Sequence, residues 1–425
     1  MNVLAVDDKS FPPDAWGLTV AEFLATAPPV SRFATPLLTL DQAAMSHNVR
    51  VMSAWVASHG LHLAPHGKTT MAPALWEMLT DAGAWGLTLA TAWQAQVARS
   101  VGIGRLMVAN AIVDPVALRW LASELSAHAD VEISCWVDSL ATVRVMEAVL
   151  REAGVPRPIP VIVELGAPGG RTGARSRAEA LEVARAVAAS DVLTVAGVGG
   201  YEGALAHDRA PSSVARVDAY LDDVRGLHEE VAAAGLYRPG VPPIVTVGGS
   251  AYFDRVAERL APVADEAEVV LRSGAFQIHD DGFYAQISPM GMLPGTEPFR
   301  SAMHAWVRVV SHPEPGLVLL DGGKRDLSFD EGLPVPQRIV GLSAADSDRA
   351  LAGSEITALN DQHGFLRLSP DALAAGAAEA LPVGAVVRLG LSHPCTALDR
   401  WRRIPVVADA NEDDPRVIDV VETRF

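Results

Sequence analysis

The sequence predicts an α/β fold: a (β/α)8 TIM-type barrel followed by a smaller C-terminal β domain. Two observations carry this expectation. Eight short apolar runs of strand length alternate with alanine-rich helical patterns, and eight is the count that closes a parallel barrel, whereas doubly wound sheets usually stop at about five to seven strands. After about Ser301 the texture changes to short strands and turns. With 425 residues, 49% of them hydrophobic, the chain can fill one large barrel and a second unit with its own core.

In chain order, residues 1–34 carry Pro12, Pro13, Pro28 and Pro29 around a short helical pattern at Val20 to Ala25, and read as a lead-in arm. The barrel is assigned to residues 35–300. It is preceded by the run Thr35-Pro36-Leu37-Leu38-Thr39-Leu40, a ninth strand that the barrel does not need and that is free to pair with the C-terminal domain, and by a helix-like stretch to about Ser58. The eight barrel runs fall near Leu61 to Ala64, Gly86 to Ala90, Arg105 to Ala109, Glu132 to Val137, Pro160 to Glu164, Thr194 to Val198, Ile244 to Val247 and Val269 to Leu271. Residues 301–425 are assigned to the β domain, with strands at His304 to Val310, Leu317 to Leu320, Glu355 to Leu359 and Val386 to Gly390.

Charge and cysteine content exclude whole classes of partner. Asp and Glu outnumber Lys and Arg by 51 to 34, a formal charge of -17 that repels phosphate backbones, so no nucleic acid is expected. The one dense basic run, Arg400-Trp401-Arg402-Arg403, reads as a solvated strand or turn. Two cysteines, Cys135 and Cys395, allow at most one disulfide and fit a reducing cytoplasm. The first residues lack the pattern of an export signal and no later run approaches a membrane span, so neither export nor anchoring is expected.

Barrel enzymes place their chemistry where strands end, and several polar residues stand there. Lys68, in Pro65-His66-Gly67-Lys68-Thr69-Thr70 after the first barrel run, has few charged neighbours in sequence; an amine so placed loses its proton easily and can form a Schiff base. Gly249 and Ser250, after the seventh run and ahead of a helical pattern starting at Ala251, offer backbone N–H groups and a hydroxyl to a phosphate, and Arg272 and Gly274 after the eighth run can complete that cradle. Tyr201 at the rim can contact a cofactor or substrate, and the guanidinium of Arg171 can face the ring nitrogen of a cofactor. Finally, His393 and Cys395, two residues apart in Ser392-His393-Pro394-Cys395-Thr396, suit a zinc ion with open positions. Each also has an ordinary structural explanation when taken alone.

Taken together, these motifs resemble the D-serine dehydratase and D-threonine aldolase family. The resemblance runs from Thr35-Pro36 through Pro65-His66-Gly67-Lys68-Thr69, Gly170-Arg171-Thr172-Gly173, Gly200-Tyr201-Glu202-Gly203 and Gly248-Gly249-Ser250 to His393-Pro394-Cys395-Thr396. It implies an alanine-racemase-like barrel, pyridoxal 5'-phosphate on Lys68, Arg171 near the pyridine nitrogen, Tyr201 lining the cofactor, Gly249 and Ser250 holding its phosphate, and zinc on His393 and Cys395 as in the dehydratase branch. It also implies a homodimer acting on a small D-amino acid. The chain departs from the family pattern where Ala64 replaces an arginine, Thr70 a histidine and Phe276 a tyrosine; the first two changes bear on substrate identity more than on cofactor use, and the third removes a phenol from the cofactor's surroundings.

The reaction this implies is loss of water from a D-3-hydroxy amino acid resembling D-serine. Lys68 takes the α-proton as general base, zinc draws off the β-hydroxyl, and the product hydrolyses to a 2-oxo acid and ammonia. Arg171, always charged, would leave the ring nitrogen unprotonated and give the metal more of the work. Two alternatives stand beside it: retro-aldol cleavage of a D-threonine-like substrate, for which His66 is a candidate base, and a non-catalytic pyridoxal-phosphate carrier.

Overall fold

The structure is a computed structural model that describes residues 3–425. Strand β1 (Leu37–Asp41) lies outside the barrel. The barrel itself is built from β2 (His62–Leu63), β3 (Leu87–Leu89), β4 (Arg105–Ala111), β5 (Glu132–Val137), β6 (Ile159–Glu164), β7 (Leu193–Gly199), β8 (Ile244–Thr246) and β9 (Glu268–Leu271), all parallel, in the order β2-β9-β8-β7-β6-β5-β4-β3. The ring closes just after β2: Trp85 N–H donates to Leu63 O (2.8 Å), Thr88 N–H to Pro65 O (2.9 Å), and His66 bridges Thr88. Each of the eight apolar runs is a barrel strand, so the fold class expected from the sequence is the one found.

Strand alternation explains how the barrel is filled. Along β5, Ile133, Cys135 and Val137 pack with the surrounding helices, while Trp136 turns inward with Met107, Ile162, Ala196, Ile244 and Val270. The intervening helices start where the sequence supplies a cap. Thr91, Asp114, Ser139 and Ser176 each accept the backbone N–H three residues on, satisfying one of the free donors of the first turn. The helix Phe253–Leu260, after β8, has no such side-chain cap.

The second unit is a nine-stranded sheet. Its centre is β10 (Met303–Glu314), long enough to pair along its first half with β1 and along its second half with β11 (Leu317–Leu320). The other members are β12 (Val335–Ile339), β13 (Glu355–Leu359), β14 (Gly364–Arg367), β15 (Val386–Gly390), β16 (Arg403–Val407) and β17 (Val417–Glu422). Strand β1 sits between β10, antiparallel, and β16, parallel. At its end Asp41 caps the helix Gln42–Ser58 through Ala44 N–H (2.8 Å) and also accepts Ala410 N–H (2.8 Å), fastening the first barrel-side helix to the sheet.

The N-terminal residues pack on this sheet. Phe11, Phe23 and Phe33 form an aromatic cluster with centroids 5.2 to 5.8 Å apart that continues onto Trp306 and Val407. Here the reading of Arg400 to Arg403 as solvated is corrected. Trp401 is buried, and Arg403, in β16, is an ion-paired partner of Asp8 (2.5 Å), both almost wholly enclosed. Arg402 is exposed, whereas Trp401 just ahead of the strand donates its indole N–H to Asp326 O (3.1 Å) and Arg403 begins a strand buried along its whole length. No helix among the described residues is long and apolar enough to cross a membrane.

Candidate active site

Every site residue singled out from the sequence lines one cavity of about 220 Å³ at the end of the barrel where the strands finish. Lys68 lies in the short turn Gly67–Thr69 after β2, His66 beside it, Arg171 in the loop after β6, Tyr201 after β7, Gly249 and Ser250 after β8, and Arg272 and Gly274 after β9. His393 and Cys395 come from the opposite side, on the segment between β15 and β16. The sheet therefore delivers a second set of groups to a cavity whose floor belongs to the barrel.

The floor is cationic and partly enclosed. Arg272 is buried, donates to Thr246 Oγ1 and Gly200 O at 2.6 Å each, and lies 4.7 Å from the centre of the Trp136 ring. Its guanidinium is thereby committed to the barrel interior. Arg171 lies over the Tyr201 ring at 5.0 Å. Burial lowers the pKa of the Lys68 amine; Cys395 opposes the shift, and Arg171 and Arg272 add to it. The amine is thus readier to act as a neutral nucleophile than an exposed lysine. Desolvation holds half-buried His66 well below the usual histidine range, with Lys68, Arg272 and Arg171 adding to the shift.

One wall was not legible as a functional element. Glu202, wholly buried, accepts Gly249 N–H through Oε1 (2.6 Å) and Gly248 N–H through Oε2 (3.1 Å). The N–H of Gly249, assigned to a phosphate from the sequence, is therefore already engaged. The next two N–H groups, of Ser250 and Ala251, meet no protein acceptor among the described residues, and they stand directly ahead of the uncapped helix Phe253–Leu260. An anionic group such as the phosphate of pyridoxal phosphate suits those donors. Gly274 is needed nearby for a different reason: a side-chain carbon there would lie 2.6 Å from His66 O.

The other wall carries the metal candidates. His393 Nδ1 pairs with Asp330 Oδ2 (2.6 Å), whose second oxygen accepts from the Thr396 hydroxyl (2.6 Å). Burial pushes the Cys395 thiol up, but His393, the Thr69 hydroxyl and Lys68 outweigh it and hold it below its ordinary value. Burial likewise opposes protonation of His393, which Cys395 and Asp330 nevertheless raise to about 9. A zinc ion takes a thiolate and a neutral imidazole, so it would have to displace the proton that Cys395 and Asp330 favour on His393, while the Asp330 carboxylate would go on bracing the ring. No three His, Cys, Asp or Glu groups converge on a metal position among the described residues, so a metal held here would keep positions open. Asp330 had no signal in the sequence, because nothing in its loop marks it as the partner of a histidine so far along the chain. Phe276 packs against Phe299 at 5.9 Å, and the phenols at the cavity are Tyr201 and Tyr284.

Comparison with known proteins follows the same division. Residues 40–261 match the alanine racemase N-terminal domain, and residues 302–407 match a putative serine dehydratase domain. A D-threonine aldolase of Arthrobacter sp is 27% identical over 389 residues, covering 91% of this chain and 92% of that protein. A D-threo-3-hydroxyaspartate dehydratase of Delftia sp. (strain HT23) is 24% identical over 369 residues, covering 85% and 90%. The crystal structure of D-threonine aldolase from Filomicrobium marinum superposes with a TM-score of 0.75 at 25% identity, covering 93% of this chain and 96% of that one. The chain belongs to the alanine-racemase-like family of D-serine dehydratases and D-threonine aldolases.

Proposed function

We propose that the chain removes water from a D-3-hydroxy amino acid of the D-serine type, giving a 2-oxo acid and ammonia, with pyridoxal 5'-phosphate on Lys68 and zinc on His393 and Cys395. The observation that carries this reading is the contact between the two walls. Cys395 Sγ and Thr69 Oγ1 are hydrogen-bonded at 3.4 Å, so the metal candidates stand against the turn that bears the lysine. That nearness supports a pose in which a substrate with its α-carbon beside Lys68 directs its β-substituent towards His393 and Cys395.

When bound, pyridoxal phosphate supplies an electron sink for the pair left on the substrate's α-carbon. A zinc ion on His393 and Cys395 supplies a Lewis acid for the β-hydroxyl, which is otherwise a poor leaving group. Lys68 Nζ, once the substrate's own amine displaced it from the cofactor, would be free to take the α-proton, and its lowered pKa favours the neutral form that this needs. Arg171 and Tyr201 cover the cavity's side, and Ser250 and Ala251 anchor the phosphate end. The β C–O bond breaks, hydroxide departs, and hydrolysis of the released enamine yields the 2-oxo acid and ammonia.

Retro-aldol cleavage is the reading favoured by the D-threonine aldolase of Arthrobacter sp. It needs a base for the substrate hydroxyl, and His66, crowded by three cations and depressed in pKa, is a weak one. Cys395 favours elimination for a second reason: in the family resemblance, a cysteine at this place belongs to the dehydratase branch.

The test is to follow the visible absorbance of the lysine-bound cofactor as D-serine is added, assaying 2-oxo acid and ammonia in the same solution with and without a chelator. Both products, lost on chelation and lost in Lys68→Ala, are expected. Glycine and an aldehyde from D-threonine, with no ammonia from D-serine, would overturn elimination in favour of cleavage.

A further inference from the structure

Asp280, in the loop after β9, is 1% exposed, yet its two oxygens accept four backbone N–H groups. Oδ1 takes those of Gly282 (3.1 Å), Tyr284 (2.9 Å) and Ala285 (3.1 Å), and Oδ2 takes that of His393 (2.9 Å). The first three belong to the turn that presents Phe283 and Tyr284 to the cavity; the fourth belongs to the segment from the sheet domain. One carboxylate thus joins two walls that are far apart in sequence.

The joint continues on both sides of it. Asp281 N–H donates to Leu391 O (2.9 Å), Phe283 N–H to Ser392 Oγ (3.2 Å), and Ser392 Oγ to Glu331 O (2.6 Å). Gly282 is the closest point, where a side-chain carbon would lie 2.5 Å from Ser392 Cβ. His393 itself has φ 54° and ψ 82°, a left-handed conformation that is costly for a residue with a side chain and persists only where the surroundings hold it. Its N–H is held by Asp280, and its ring by Asp330.

We infer that Asp280 is the positioning residue of the metal pair: by fixing the backbone of His393 against the barrel loop, it aims the imidazole at the position it shares with Cys395. This rests on the metal role proposed above. Asp280 touches neither substrate nor metal, and its effect passes through the main chain of His393.

The test is zinc binding to the metal-stripped, cofactor-loaded protein, measured by competition with a chromophoric chelator. Asp280→Asn keeps a carbonyl oxygen for the loop N–H groups but turns an amide NH2 against the N–H of His393. The expected result is zinc affinity lowered about tenfold or more in a protein that still folds, with the visible cofactor band retained and a modest drop in thermal midpoint. Where that variant does not fold, Gly282→Ala pushes the same two segments apart at Ser392 and is expected to weaken zinc binding likewise. Zinc affinity equal to wild type in a folded variant overturns the inference while leaving the metal reading intact. Wild-type protein that takes up no zinc overturns both.

Discussion

Cys395 Sγ lies 3.4 Å from Thr69 Oγ1, and Thr69 directly follows Lys68 on the turn Gly67–Thr69. This contact is one of those that bring the sheet domain's Cys395 beside the barrel's Lys68, and in the function proposed above each has its own chemistry. Cys395→Ala should separate them. The visible band of the cofactor on Lys68 is expected to remain, while zinc content and ammonia production from D-serine fall by more than about a hundredfold. Absorbance, elemental analysis and an ammonia assay on one preparation check all three.

Glu202 makes a second separable contribution. Its carboxylate fixes the turn at Gly248, where φ is +106°, and Gly249, and the free N–H groups of Ser250 and Ala251 follow from that turn. Glu202→Ala leaves two enclosed donors unpaired and frees the turn. Cofactor release is expected to quicken by about tenfold, read from loss of visible absorbance after rapid gel filtration, while Glu202→Gln, which keeps one acceptor oxygen, should fall between. Release as slow as wild type in Glu202→Ala would show that the turn does not depend on this carboxylate.

The contrast between Gly249 and Glu202 shows where the sequence is legible. Strand ends and glycine-rich turns repeat on a local scale, so Lys68, Tyr201 and Ser250 could be found from position alone. Glu202 and Asp330 accept their bonds from residues 46 to 66 positions away, and Asp280, beside its local bonds, accepts one from His393, 113 positions away; no local pattern encodes these relations. The strands show the same limit. The barrel runs are apolar and buried over most of their length, as in β5 and β6, whereas β12 and β16 carry Pro336, Arg338, Arg403 and Pro405 and take their strand character from their neighbours. Tertiary pairing decides them.

Buried histidines predict an acid-side loss of stability. Enclosure lowers His279, packed against Phe299, from 6.5 to about 4. It lowers His304 to about 3, with Arg388 adding to the shift while Gln337 and Asp409 oppose it. Below pH 6.5 the unfolded chain binds protons at these positions and the folded chain does not, so stability falls as pH drops, through about 4 for His279 and about 3 for His304. Each contributes a slope of about 1.4 kcal/mol per pH unit within its window. Buried carboxyls with raised pKa, Glu202 and Asp281 among them, act in the opposite sense, so the contribution of one ring is read as a difference. His304→Gln should lose less thermal midpoint than wild type between pH 7 and 4, and an equal loss in the two would contradict the burial of that ring.

The Asp8–Arg403 pair tests how firmly the N-terminal residues are fastened. Asp8 also accepts Ala5 N–H (2.8 Å), and Arg403 also donates to Val3 O (2.8 Å), so the pair ties the beginning of the described chain to strand β16. Removing one partner leaves the other charge enclosed without its counter-ion, which typically costs about 3–5 kcal/mol, whereas replacing both with uncharged residues of similar size costs far less. Arg403→Met alone is therefore expected to lower unfolding free energy by about that amount in urea, and Asp8→Asn combined with Arg403→Met to recover most of it. The difference between the two separates the cost of a stranded carboxylate from the value of the pair. If the double variant is as unstable as Arg403→Met, the loss lies instead in the Arg403 contacts to the backbone at Val3, and the N-terminal residues are held by that bond and their aromatic cluster.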